Sequence, residues 1–111
     1  MKTEQIETAA ENLGWSVNWY VQKQGKNVAF SKHTPAGQEL YFDIWYDNLA
    51  QIPVKLYEEY ENYDPSYEAY IWLDETGHGK NGAPHEMIDV YNDMKWSEDE
   101  ILKLYNALPK I

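Results

Sequence analysis

The chain begins with apolar residues at helical spacing. Between residues 3 and 13 they recur every three or four positions, at Ile6, Ala9, Ala10 and Leu13. This period is typical of an amphipathic helix that buries one face. Gly14 follows directly and is suited to the position after a helix end, because glycine adopts positive φ at little cost. The pattern therefore predicts a first helix over residues 3–13.

After Gly14 the period changes from 3.6 to two. Trp15, Val17, Trp19 and Val21 alternate with polar residues, and Leu40, Phe42, Ile44 and Tyr46 do the same further along. Because successive side chains of a strand point to opposite faces, this alternation predicts strands. We expect strands near residues 15–22, 28–32 and 39–46, joined by a turn at residues 24–27 and a loop at residues 33–38, which together form an antiparallel meander.

The second half predicts three more helices and a fourth strand. Asn48 is a candidate N-cap for a helix with Ile52, Leu56, Tyr60 and Tyr63 on one stripe, although the helix could also begin at Pro53. Residues 67–73 alternate, which predicts a strand. The apolar spacing of residues 85–96 predicts a third helix. Ser97 to Glu100 have the pattern of a capping box, which predicts that a last helix starts there. The expected order is α-β-β-β-α-β-α-α: one α+β domain over residues 1–111, with a four-stranded, mainly antiparallel sheet.

Length and composition are typical of one globular domain. The chain has 111 residues, no cysteine, and five Trp, ten Tyr and two Phe for burial. The absence of cysteine excludes disulfides and fits a reducing compartment. No apolar run approaches the roughly 20 residues that span a bilayer, and the N-terminus lacks the apolar core of a secretory signal. We expect a soluble, cytoplasmic protein.

Charge narrows the range of partners. Asp and Glu number 19 against 9 Lys and Arg, the net charge is −10, and none of the cations is arginine. The segment from residue 12 to residue 38 is the exception, with Lys23, Lys26 and Lys32 and no acid. Such a surface repels phosphate backbones and anionic lipid and attracts basic surfaces. The sequence predicts no direct binding of nucleic acid or membrane, and a partner protein with a basic surface.

Acidic residues mixed with tyrosines are the first candidate site. Carboxylates spaced along helices could imitate a row of phosphates and occupy a nucleic-acid-binding protein, while tyrosines supply short-range contacts. The alternative is a solvated face that only confers solubility. The carboxylates assigned to this row are Glu58, Glu59, Glu61, Asp64, Asp89, Asp93, Glu98, Asp99 and Glu100, and the tyrosines expected to supply contacts are Tyr57, Tyr60 and Tyr63.

The glycine-rich segment before the third predicted helix is the second candidate. Gly77, His78, Gly79, Lys80 and Asn81 are its candidate contact residues. Its spacing matches neither a P-loop nor a dinucleotide fingerprint, so a structured connection is favoured. The nearby His and acid residues lack metal-ligand spacing, and no nucleophile constellation is present. We expect no enzyme activity, cofactor or metal; the rival is a small hydrolase that uses the segment from Asp74 to Pro84.

The second face of the predicted sheet is aromatic. It carries Tyr20, Tyr41, Trp45, Tyr70 and Trp72. Bases could stack on such a face, but RNA-binding sheets also need cations that are missing here. We therefore expect a C-terminal helix to cover the face, or a protein interface to form there. The chain is predicted to be a monomer or a weak homodimer.

Two segments carry a resemblance. Residues 31–38 and 72–84 are similar to segments of small, acidic, uncharacterised proteins of gut bacteria and their mobile elements, and the likeness extends from about Trp19 onward. It implies no site residue. It does imply a genomic neighbourhood of phages and conjugative elements, where acidic antirestriction and anti-CRISPR proteins occur. The similarity to those inhibitors is in composition alone.

Overall fold

A computed structural model describes residues 2–71 and 86–109 of the chain. Within these residues the fold is α+β, with four helices and a three-stranded antiparallel sheet in the order β1-β2-β3. The elements in chain order are α1 (Thr3–Asn12), β1 (Ser16–Gln22), β2 (Gly25–His33), β3 (Glu39–Tyr46), α2 (Gln51–Asn62), α3 (Pro65–Ile71) and α4 (Met87–Ala107).

The first helix ends in the way that its glycine predicts. Gly14 has a φ of 89°. Its N–H donates to the carbonyl of Glu11, and the N–H of Trp15 donates to the carbonyl of Ala10. These two bonds form a Schellman motif, which satisfies carbonyls that a helix end leaves unpaired. The motif also turns the chain so that Trp15 enters the core directly before β1.

The meander has the predicted alternation of its faces. Val17 pairs with Phe30 and Phe30 with Phe42, so three apolar side chains stand side by side on one face, here called the inner face. The opposite outer face carries Tyr20, Tyr41 and Trp45. The hairpin turn lies at residues 23–24, before the predicted position, and β2 begins at Gly25, whose φ is 137°. β2 is therefore longer than predicted.

The inner face of the sheet packs against three helices. One buried cluster joins Ile6 of α1, Phe30 of β2, Leu56 of α2 and Ile101 of α4. Trp15 meets Phe30 and Phe42 in edge-to-face contacts, with ring centroids 6.4 and 5.5 Å apart. Burial of these large side chains is the main source of stability expected for a chain without disulfides.

Helix α2 contains its proline in the first turn. Pro53 is its third residue, where the missing N–H would have had no helical partner. The carbonyl of Asn48 accepts a bond from the N–H of Gln51, but Ala50 occupies the N-cap position. Ile52 and Leu56 are fully buried, as the apolar stripe predicts.

The predicted fourth strand is wrong as far as Ile71, because residues 65–71 form helix α3. The Asp64 carboxylate accepts bonds from the N–H groups of Ser66 and Tyr67, at 3.0 and 3.4 Å. Pro65 then occupies the first helical position, which it favours. The Asp64-Pro65 pair therefore both follows the end of α2 and starts the next helix. Residues 72–73 lie outside the described part of the chain.

The break predicted before Ser97 does not occur. One helix, α4, runs from Met87 to Ala107, and Ser97 lies fully buried in its interior. The Ser97 hydroxyl donates to the carbonyl of Asp93 four residues earlier, so it makes an intrahelical bond rather than a cap. The buried positions continue past it in steps of three and four, at Val90, Met94, Ser97, Ile101, Leu104 and Leu108.

Candidate partner-binding surface

Edge strand β3 and helices α2 and α3 border a depression rich in carboxylates. We call it the acidic groove and define it by Glu39 and Asp43 of β3, Glu58 and Glu59 of α2, and Glu68 of α3. One cavity of about 190 Å³ lies between Glu39, Glu59 and Glu68. A second of about 260 Å³ lies between Asp43, Glu58 and Glu59. Glu59 belongs to both cavities and links them.

The groove carboxylates lie close enough to influence one another. Partial burial, then the charges of Asp43, Glu58 and Glu68, raise the pKa of Glu59 above its ordinary value. Burial, then the charge of Asp64, likewise raises the pKa of Glu68. Both effects disfavour the charged form. A cation placed among these groups would relieve the repulsion, so the groove is electrostatically suited to a positive ligand.

Cations of the described residues neutralise little of this charge. In that part of the chain, the ion pairs are Lys32 with Glu100, Lys95 with Glu98, and Lys103 with Glu100. None of these pairs involves a groove acid. Lys55 borders the second cavity, but its ammonium donates to the backbone carbonyl of Trp45 at 2.6 Å. The five groove carboxylates therefore have no ion-pair partner among the described residues.

Aromatic side chains extend the groove onto the outer face. Tyr41 and Trp45 line its two cavities and are 53% and 39% exposed. With Tyr20, which is also exposed, they form the outer aromatic face. The expected covering helix is not found among the described residues, since α1, α2 and α4 join the core on the inner face. Tyr70 belongs to α3 rather than to the sheet, and Trp72 lies outside the described ranges.

The predicted acidic row is only partly brought together. Glu58 and Glu59 border the groove, and Glu68, which the prediction omitted, joins them. Glu61 and Asp64 are exposed but line neither cavity. Tyr57 packs on Tyr105 of α4, with ring centroids 4.8 Å apart. Tyr60 contacts Tyr57 and the core, so the tyrosine pair faces α4 instead of the groove.

Two acids of the predicted row are structural. Asp93 is buried, and its carboxylate accepts bonds from the N–H of Ala36 and from the Gln38 side-chain amide, at 3.2 and 2.7 Å. It thereby fastens the loop between β2 and β3 to α4. Glu100 is also buried and pairs with Lys32 at 2.7 Å. Burial removes both from the predicted contact surface, because a partner cannot reach them.

Other acids of α4 lie away from the groove. Asp89 and Asp99 are exposed, and Glu98 is partly shielded and pairs with Lys95. Asp89 borders a separate depression with Trp96 and the loop residues Pro35 and Ala36. The helix therefore presents scattered acids and does not extend the groove carboxylates into one row.

The glycine-rich candidate residues Gly77, His78, Gly79, Lys80 and Asn81 lie outside the described residues, as does the segment proposed for the rival hydrolase. Over residues 2–71 and 86–109, no group of three or more His, Cys, Asp or Glu side chains is arranged to hold a metal ion. No helix in that part of the chain has the length and apolar character needed to cross a membrane.

Comparison with known proteins gives no relative. No protein-family model, curated protein or solved structure matches this chain.

Proposed function

We propose that this protein is a non-enzymatic binding protein whose acidic groove takes a basic segment of another protein. The observation that carries the proposal is the group of interacting carboxylates around Glu59, which have no lysine partner among the described residues and lie beside exposed aromatic rings. Long-range attraction would speed association, and Tyr41 and Trp45 would supply contact area once the charges meet.

A nucleic-acid mimic is the finer form of this proposal. In that form the partner normally binds DNA or RNA, and the groove blocks its basic surface. The support is the net charge of −10 together with the groove acids; the protein itself is then expected to bind neither DNA nor RNA at physiological salt. The proposed row is shorter than the one that the sequence predicts, because Asp93 and Glu100 are buried and are left out of it.

The test is affinity capture from a nuclease-treated bacterial lysate with three forms of the protein: wild type, E58Q/E59Q and E4Q/E11Q. Both variants remove two negative charges, but Glu4 and Glu11 are exposed on α1, away from the groove. We expect wild type and E4Q/E11Q to retain a basic partner and E58Q/E59Q to lose it. Recovery of an acidic partner contradicts the proposal, as does an amount of captured partner that changes neither in E58Q/E59Q nor with salt.

A second candidate role is self-association through the outer aromatic face. The exposure of Tyr20, Tyr41 and Trp45 on one face of the sheet favours it, since exposed aromatic side chains are typical of interfaces. The net charge opposes it. Sedimentation equilibrium at low and high salt distinguishes a dimer held by aromatic contacts from one held by charge contacts. The aromatic dimer persists or tightens as salt rises, because screening weakens only charge contacts and here reduces the repulsion between copies.

A further inference from the structure

The backbone of β3 indicates which class of partner the acidic groove binds. This strand lies at one edge of the sheet, so one side of it pairs with β2 and the other has no strand neighbour among the described residues. The carbonyl of Trp45 accepts a bond from the Lys55 ammonium of α2, which places that carbonyl on the side away from β2.

Alternation along the strand extends this orientation to two more residues. In an antiparallel pair, residues that bond their neighbour alternate with residues whose N–H and C=O both point away. Asp43 and Tyr41 precede Trp45 by two and four positions, so their backbone groups point to the same free side. Apart from the strand pairing, no described hydrogen bond reaches the backbone of either residue.

The unpaired backbone groups and the groove acids occupy the same edge. Tyr41 and Asp43 each line one of the two groove cavities. The side chains of Glu39 and Asp43 lie on one face of β3, and Glu58 and Glu59 stand on the opposite wall. Free N–H and C=O groups at an edge accept an added strand, and surrounding carboxylates select for positive side chains.

We infer that the acidic groove binds an extended, lysine- or arginine-bearing peptide segment that adds to β3 as a fourth strand. The inference rests on the proposed function and specifies its partner as an unstructured basic tail or loop. From Glu39 to Asp43 the edge accommodates about five residues, at roughly 3.4 Å per residue. Cations at alternate positions share one face of such a strand and meet Glu39 and Asp43 together.

A second copy of this chain is a poorer occupant of the same edge. Its own β3 would bring Glu39 and Asp43 against the same acids, and like charges opposite each other in a sheet are destabilising. Its β1 edge carries no cation between Ser16 and Gln22. Charge complementarity therefore favours a basic segment from another protein.

The probe is an octapeptide in which lysine alternates with threonine, titrated calorimetrically. Two derivatives carry N-methyl groups either on all lysine amides or on all threonine amides. An added strand points alternate amides toward β3, so one derivative should lose about tenfold or more in affinity and the other little, since about two hydrogen bonds are lost. Equal affinity of all three peptides, or binding of none, overturns strand addition.

Amide hydrogen exchange locates the added strand. With the unmodified peptide bound, the amides of Tyr41 and Asp43 should exchange more slowly, while those of Val17 and Trp19 on the β1 edge stay unchanged. Slowing at β1, or at neither edge, overturns the inference. If peptide binding ignores N-methylation but still weakens in E58Q/E59Q and not in E4Q/E11Q, only strand addition fails and the proposed function stands.

Discussion

Replacing Lys32 with methionine tests how far the fold depends on a buried cation. The Lys32 side chain is 10% exposed, and its ammonium donates to the Glu100 carboxylate and to the Leu13 carbonyl, each at 2.7 Å. It also lies 5.2 Å from the ring centroids of both Trp15 and Trp96. One side chain of β2 thus connects the end of α1 with the middle of α4.

The expected cost follows from these contacts. Removing one partner of a buried ion pair costs about 3–5 kcal/mol, because the other charge stays buried. Lys103 remains 2.9 Å from the Glu100 carboxylate and still compensates part of its charge. The loss in the free energy of unfolding is therefore expected at the lower end of that range. We therefore expect K32M to lower the free energy of unfolding by about 3 kcal/mol, and Tm by roughly 10–15 °C.

Urea denaturation at pH 7 measures this loss, with K103M as the exposed control. The K103M substitution should change stability little, because the Lys103 ammonium of the wild type is solvated. The double variant K32M/E100Q should lose less than the sum of its single variants, since it leaves no stranded carboxylate. A loss under about 1 kcal/mol in K32M, or strict additivity of the pair, refutes the reasoning.

The pH dependence of the same pair has a definite sign. Burial opposes ionisation of Glu100, but the hydrogen bonds from Lys32 and Lys103 outweigh it and lower its pKa below the ordinary 4.5. The stabilisation is therefore complete above that ordinary value and is lost as pH falls through the lowered pKa. K32M should show a weaker loss of stability in acid than wild type.

Two further predictions concern the groove and the first helix. Because the pKa of Glu59 is raised, the folded state holds its proton more tightly than the unfolded state, and stability falls as pH rises from about 4.5 through the raised pKa. In thermal melts, the decline should be smaller for E59Q, which should be more stable than wild type at pH 7. A dependence of stability on pH that is unchanged in E59Q contradicts this prediction. G14A should lower the free energy of unfolding by about 1–2 kcal/mol in urea, because alanine disfavours the positive φ there. An unchanged midpoint contradicts that reasoning.

The sequence predicts the meander because two signals, the alternation of the strands and the turn residues between them, both indicate it. Trp15, Leu40, Ile44 and Tyr46 alternate with polar or exposed residues, and the structure buries all four. The turn at residues 23–24 departs from the predicted position because Gly25 uses its positive φ to begin β2 instead of forming the turn centre. A single glycine does not specify which position of a turn it occupies.

The helical errors have the same origin, since each came from a local signal with two meanings. Asp64 and Pro65 terminate one helix and also cap the next, so the pair alone cannot exclude α3. Ser97 begins a capping-box pattern, yet the unbroken stripe from Val90 to Leu104 predicts one helix across it. The buried stripe, and not the capping-box pattern, indicates the extent of α4.

The acidic groove was beyond sequence reasoning for a different reason. Alternation in the sequence already predicts that Tyr41 and Trp45 share one face of β3. What the pattern lacked was the position of α2 against that edge and the helical state of the residues around Glu68. The position of α2 depends on packing between elements, and the burial of Asp93 and Glu100 depends on partners distant in sequence. The helical state of residues 65–71 depends instead on the local Asp64-Pro65 signal, which has two meanings.

The central claim is that binding is located in the acidic groove and not spread over the acidic surface. A ¹⁵N chemical-shift map recorded during titration with tetralysine tests it directly, because every exposed carboxylate competes for the same probe. We predict that the largest shifts cluster at residues 39–45, 58–59 and 68, and that E58Q/E59Q removes them while E4Q/E11Q does not. Shifts of equal size around Glu4, Glu11 and Asp99 would contradict the claim.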